Sequence, residues 1–260
     1  MLPVNRALML VLALIVAVAW AAPVAADEAL DKAFDALKTY EWGNDRAALG
    51  AIDAAVAASN KDKAAAKQLE KRLADVLTAD VSRAAKDFVC RKLSLVGSAQ
   101  CVPTVAGLLT DEKLSHMARY ALERIPDDAA VAAMRDALPK VKGKLKVGVI
   151  NSLGVRRDAK STEALVALLK DDDKQVAGAA AAALGSIGTP EAAKALEAFE
   201  APKELLLAAC DAKLTCAEHL LAEGKKADAL KIYKALSKPD LPKHVRVAGM
   251  RGMLAAAGKK

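Results

Sequence analysis

Four cysteines and three histidines are the residues of this 260-residue chain with the chemistry to hold a metal or attack a substrate. Their spacing assembles no site. The cysteines are Cys90, Cys101, Cys210 and Cys216, and no CxxC or CxxCH occurs. A zinc ribbon, a thioredoxin-type redox pair and a c-type haem attachment are therefore not written here. His116, His219 and His244 form no HExxH or HxxxH pair, so two imidazoles cannot share one helix face toward a zinc ion. The thiols leave two readings. They are small buried core residues, or Cys90 and Cys101, which flank an expected turn at Gly97-Ser98, form a disulfide if the geometry allows. Cys210 and Cys216 share one expected helix and point to different sides of it. No glycine-rich phosphate loop, nucleophile elbow or paired carboxylate stands out. The expectation is no cofactor, no metal and no catalytic residue.

Positive charge gathers in one region. Lys140, Lys142, Lys144 and Lys146 alternate through a connection containing Pro139 and Gly143, and Arg156, Arg157 and Lys160 follow at the far end of the next expected helix. Such a run suits an anionic partner: an acidic polysaccharide, a phosphate-bearing surface or nucleic acid. No aromatic side chain interleaves with it, so base stacking is not implied and nucleic acid is not expected. The plainer reading is a solvated loop and helix end. Tyr40 and Trp42 beside a turn, and Tyr120 and Tyr233 within helices, are either ligand platforms or packing plugs.

Positioning these residues falls to elements built from small side chains. Hydrophobic residues are 54% of the chain and aromatics only 3%, so alanine and leucine must form the core. Glycine and proline are too sparse for a disordered or β-rich chain. Residues 1–26 read as a signal peptide: Arg6 supplies the positive end, an apolar run follows, and Val24-Ala25-Ala26 places small residues for cleavage after Ala26. The competing reading is an uncleaved anchor, because the apolar run approaches spanning length. After cleavage no membrane span is expected. Losing Arg6 lowers the formal charge from +7 to +6, which says little about partners. Export to the periplasm or medium would permit disulfides.

The remaining chain reads as helices. Leu30, Phe34 and Leu37 form one face of a helix from Asp27 to Glu41. A second runs from Arg46 to Ser59 after Asp45, a third from Lys63 to Thr78, and a fourth from Val81 to Val96 with Asp80 as its cap. From Leu114 to Phe199 the chain repeats with a period of 31 residues. Leu122, Leu153 and Leu184 are in step, as are Met134, Leu165 and Leu196, and Ala118, Val149 and Ala180. Leu114, Leu145 and Val176, and Ala137, Leu168 and Phe199, keep the same phase. A fixed period with apolar residues in phase is the mark of a stacked helical solenoid. Leu93 and Leu109 precede Leu122 and Leu138 by 29, which makes a shorter first repeat with its deletion in the 110–114 connection. In the unit from Asp171, Gln175 to Ile187 is the first helix. Thr189 and Pro190 open the second, Glu191 to Phe199, as N-cap and first helical residue. Asp127-Asp128 and Asp158 fill the same turn in the two preceding units.

The stretch Val176-Ala-Gly-Ala-Ala-Ala-Ala-Ala-Leu-Gly-Ser-Ile-Gly-Thr-Pro-Glu-Ala-Ala-Lys-Ala-Leu196 resembles a HEAT-like repeat of the phycobilisome-lyase type, and 146–154 resembles its first helix one unit earlier. The likeness departs at Arg156 and Arg157, where the clearer repeat has Ile187 and Gly188. Gly224, Ala229, Leu230, Tyr233 and Pro239 resemble the middle of a tetratricopeptide hairpin. The family resemblance implies an all-α solenoid of stacked antiparallel helix pairs; its members are mostly scaffolds, a few of them enzymes. The deoxyhypusine hydroxylases among them bind iron through His-Glu steps, and this chain has none: Glu218-His219 runs the other way.

The expected organisation is a signal peptide (1–26), a helical N-terminal cap (27–82), HEAT-like repeats (83–200), a tetratricopeptide-like hairpin (201–240) and a terminal repeat-like helix (241–260). Val245, Gly249 and Met253 fall where Val176, Ala180 and Leu184 stand. The expected function is an exported, non-catalytic scaffold binding another protein or an anionic polymer. Self-association through the terminal helix is a further expectation. The alternative is an enzyme or enzyme subunit of the HEAT-like lyase or oxidoreductase-related group.

Overall fold

A computed structural model describes residues 27–258, with Asn60 by its backbone alone. The leader, its cleavage point and Lys259-Lys260 lie outside the described residues. Every regular element among the described residues is helical. The chain divides into two compact units, one ending at Thr104 and the other beginning at Val105.

In the first unit, residues 27–38 (α1) bury Ala33, Phe34 and Leu37. After the Trp42–Asp45 turn, a 3-10 segment Arg46–Leu49 leads into α2 (Gly50–Ala58), with Asp45 accepting from the Ala47 N–H. The third helix, α3, spans Lys63–Thr78 as the pattern predicts, because the Asp62 carboxylate takes the first free amides, Ala64 and Ala65. The fourth, α4, spans Arg83–Val96, and its cap is Ser82, not Asp80. Ser82 is extended, its hydroxyl accepts from the Ala85 N–H, and the same hydroxyl donates to the Tyr40 carbonyl. Two residues more than expected are thus spent in the turn. Glu70, buried on α3, accepts from the Ser98 N–H and hydroxyl and from the Cys101 N–H. A carboxylate used this way fixes the 97–101 turn.

A short helix α5 (Val102–Ala106) follows. In the second unit, α6 (Ser115–Leu122), α8 (Gly143–Val155), α10 (Lys174–Ile187) and α12 (Leu206–Ala222) are the first helices of successive pairs. Their partners are α7 (Asp128–Ala137), α9 (Thr162–Leu168), α11 (Pro190–Ala198) and α13 (Lys226–Leu236), and α14 (Lys243–Ala256) comes last. First helices pack on first helices, α6 on α8, α8 on α10 and α10 on α12, while α9, α11 and α13 form the second layer. This unit is an α-solenoid of stacked antiparallel helix pairs. The in-phase residues occupy equivalent places: Leu122, Leu153 and Leu184 are wholly buried, and so are Met134, Leu165 and Leu196. The phases at helix ends are less even, since Leu145, Leu168 and Phe199 are half-buried.

Close approach in the first-helix layer needs missing side chains. A Cβ on Gly154 would sit 2.9 Å from the Ala183 Cα, and one on Gly185 would sit 2.5 Å from the Ala212 carbonyl oxygen. Sequence placed the α10–α11 turn well. Gly188 is left-handed at φ +66°, Thr189 caps Ala192, and Pro190 is the first helical residue. One period earlier, Arg157 is also left-handed at φ +49°, a conformation that disfavours a side chain.

Candidate partner-binding surface

The residues singled out by charge do not form one patch. Lys140, Lys142 and Lys144 are exposed at the start of α8, and Lys146 is half-buried with its Nζ 4.0 Å from the Asp171 carboxylate. Arg156 and Arg157 lie at the other end of α8, which at 13 residues is about 20 Å long. Arg156 is half-buried against the stack, whereas Arg157 is exposed. The Arg156 guanidinium donates to the carbonyls of Ile125 (2.7 Å), Glu123 (3.3 Å) and Asp127 (3.4 Å), in the turn between α6 and α7. Ile125 is its own counterpart one period earlier. The Arg157 guanidinium donates forward to the Ile187 carbonyl at 3.3 Å and to Glu223 at 3.0 Å. These two departures from the repeat are staples between turns, and the exposed basic residues among these are Lys140, Lys142 and Lys144 at one end of α8 and Arg157 at the other.

The cysteines are unbridged in this structure, and all four are buried. Burial pushes the Cys90 and Cys101 thiols up to about 12 and Cys216 up to about 11, so they are protonated and unreactive as nucleophiles at neutral pH. Cys101 Sγ donates to the Ser98 carbonyl at 3.4 Å. His116 and His244 are exposed on α6 and α14, and His219 is half-buried on α12 beside Gly188. No group of three or more metal-ligating side chains comes together among the described residues. No described helix is long and apolar enough to cross a membrane. Of the aromatics, Tyr233 is a core plug against Gly252, whereas Trp42 is exposed with the Arg83 guanidinium 5.2 Å from its ring.

Two polar arrangements escaped the sequence pattern. Arg119 and Glu123, one turn apart on α6, meet α8. Arg119 donates to the Gly148 carbonyl at 3.2 Å and to Ser152 Oγ at 3.3 Å, and the Ser152 hydroxyl donates to Glu123 at 2.6 Å. A Cβ on Gly148 would fall 2.7 Å from the guanidinium, so this glycine makes room for it. The available signal was an arginine adjoining the in-phase Ala118. Asp158, which shares the turn position of the caps Asp127 and Thr189, instead accepts from Arg135 at 2.8 Å and from the Ser161 hydroxyl.

One concave feature of this unit is a groove of about 620 Å³ where α9, the start of α10 and the end of α11 meet the 203–205 turn. Leu169, Ala177, Phe199 and Leu205 form its apolar walls, with Lys170, Lys174, Asp171 and Glu200 around them. It lies on the edge of second-to-first-helix turns, the edge that also carries Lys140, Lys142 and Lys144. An apolar trough with charges of both signs suits a polypeptide segment.

Residues 142–212, from α8 into α12, match the family model described as HEAT repeats. No curated protein matches the chain. Among solved structures, the chain is similar to a crystal structure titled an engineered protein, with 17% identity and a TM-score of 0.43, covering 89% of this chain and 69% of that one. The matched residues lie within the in-phase stack of helix pairs, so this stretch of the chain consists of HEAT-like repeats.

Proposed function

We propose that the protein is an exported, non-catalytic scaffold that holds another protein along its stacked helix pairs. The observation that carries this is the repeated burial of Leu122, Leu153 and Leu184 in register, which turns successive pairs into one continuous surface with the Leu169–Phe199 groove on its edge. Chemical cross-linking in the native source, followed by purification and mass spectrometry, tests it. A stoichiometric partner cross-linked to Lys170 or Lys174 supports the reading; a protein recovered alone under these conditions refutes it. A stoichiometric metal or a chromophore in the purified protein would overturn the non-catalytic part in favour of an enzyme. Export rests on the leader alone: N-terminal sequencing beginning at Asp27 supports a cleaved signal peptide, an intact Met1 on a membrane-bound protein favours the uncleaved anchor, and an intact Met1 on cytosolic protein sinks export.

The exposed Lys140, Lys142 and Lys144 favour an anionic polymer as the second reading. Retention on heparin, reversed only by high salt and lost on replacing the three lysines, would favour it over the protein partner.

A further inference from the structure

In the first-helix layer each helix is covered by the next. On α8 Gly154 touches Ala183 of α10, and helical spacing sets Val147 and Ile150 on the same side. On α10, 31 residues on, the matching positions are Gly178, Ala181 and Gly185; Gly178 meets Leu205 just ahead of α12 and Gly185 meets Ala212 of α12. The last helix, α14, starts and ends 69 residues after α10, so the same register selects Val247, Met250 and Leu254. These three are 37, 47 and 53% exposed. The opposite side of α14 is already used: Gly249 and Gly252 press against Tyr233 of α13. The exposed stripe is therefore the stacking face of the repeat, left open.

Charge says what kind of helix fits there. Lys146 of α8 lies near Asp171, in the acidic turn that opens the covering helix α10. Its counterpart on α14 is Arg246, whose Nε is buried with no hydrogen-bond partner. From Lys243 to Ala256 the helix carries Lys243, Arg246 and Arg251 and no acid. The neighbouring carboxylates are Asp240, ahead of the helix, and Glu218 of α12, across the cleft beside Arg251. A second copy of α14 would set cations against cations. The stripe also has no aromatic residue for seating in a bilayer interface.

We propose that α14 is a docking face for an acidic amphipathic helix of a partner protein, which lies on Val247, Met250 and Leu254 as α10 lies on α8 and brings an acid in its first turn to Arg246. This rests on the scaffold reading and names a second surface for it. At 14 residues α14 is about 21 Å long, so three to four turns of the partner fill the face.

The probe is a fluorescein-labelled, helix-stapled peptide of about that length. It has three aspartates at its start, leucine and alanine at i, i+3, i+4 and i+7, and glutamates on the flanks, and it is titrated into the purified protein by anisotropy. Saturable binding is expected, weakened at least ten-fold by Met250→Ser and by Arg251→Glu. Both sites are exposed, and circular dichroism checks that the variants keep their fold. A lysine-for-acid peptide should bind Arg251→Glu better than the parent protein. No saturable binding, or equal binding of a scrambled peptide, overturns the proposal. So does a doubled mass in light scattering that Met250→Ser abolishes, because the face then belongs to a second copy. Adsorption to phosphatidylglycerol vesicles with no peptide binding also overturns it. If the cross-linked native partner maps to Lys170 and Lys174 while the probe fails, only this inference falls; if neither is found, the scaffold reading falls as well.

Discussion

Gly185 and Gly178 sit on the same helix and face the same neighbour, yet replacing each by alanine should move stability in opposite directions. Both have ordinary helical backbone, so alanine gains about 1 kcal/mol of helix propensity at either site. At Gly178 the new Cβ meets only the Leu205 Cδ2 at 3.3 Å, the end of a flexible side chain. The gain should survive almost whole. At Gly185 the new Cβ falls 2.5 Å from the Ala212 carbonyl oxygen and 2.9 Å from its Cα, both backbone. Reaching ordinary contact needs α10 and α12 to part by roughly 0.9 Å, which breaks the close packing that small residues permit. Overpacking of this kind costs about 1–3 kcal/mol; less the propensity gain, the net loss at Gly185 is about 0–2 kcal/mol. Urea unfolding followed at 222 nm, with hydrogen exchange on α10 and α12, measures it. If Gly185→Ala is as stable as Gly178→Ala, the close approach of the first helices is not what sets the stack.

Arg156→Ala removes a guanidinium from three carbonyls of the α6–α7 turn and should cost about 1–3 kcal/mol, with faster amide exchange at 123–128 than elsewhere. Glu70→Ala leaves the Ser98 amide and hydroxyl without their acceptor and the Cys101 amide with only the Ser98 carbonyl, and should loosen the 97–101 turn, read as new proteolysis there without loss of the second unit's helicity. The native protein at pH 8 should resist thiol reagents, while the denatured chain titrates four thiols; a count of two would show a bridge. The same burial gives a pH dependence. The Cys90 and Cys101 thiols stay protonated in the fold to about 12 but ionise from 9.0 once exposed, so stability is flat below pH 9 and falls between pH 9 and 12. Serine at both positions should flatten that fall in a urea-midpoint series.

How far the sequence could be read depended on whether a signal was periodic. Leu122, Leu153 and Leu184 announced their common surroundings because burial on a stacked helix recurs at the unit length. Lys63–Thr78 was legible to the residue because Asp62 is an unambiguous cap, whereas Asp80 and Ser82 are both capping types two apart, and only the reach of Ser82 to the Tyr40 carbonyl decides between them. Arg156 and Arg157 looked like surface charge because charge patterns along a chain do not show which carbonyls a side chain will find one period away. The Arg119–Ser152–Glu123 contacts were hidden for the same reason. The open face of α14 was half legible: its register was readable, but the exposure of Val247, Met250 and Leu254 needed coordinates.

Arg157 reaches past its neighbour. From the α8–α9 turn its guanidinium touches the α10–α11 turn at Ile187 and also the α12–α13 turn at Glu223. Stacks of this kind ordinarily communicate only between adjacent members, and so can peel from an end one member at a time. A tie across two steps makes the departure of α12 and α13 felt at α8 as well. The ion pair is exposed, so this added coupling is weak and biases the order in which the turns open rather than fusing the stack into one block.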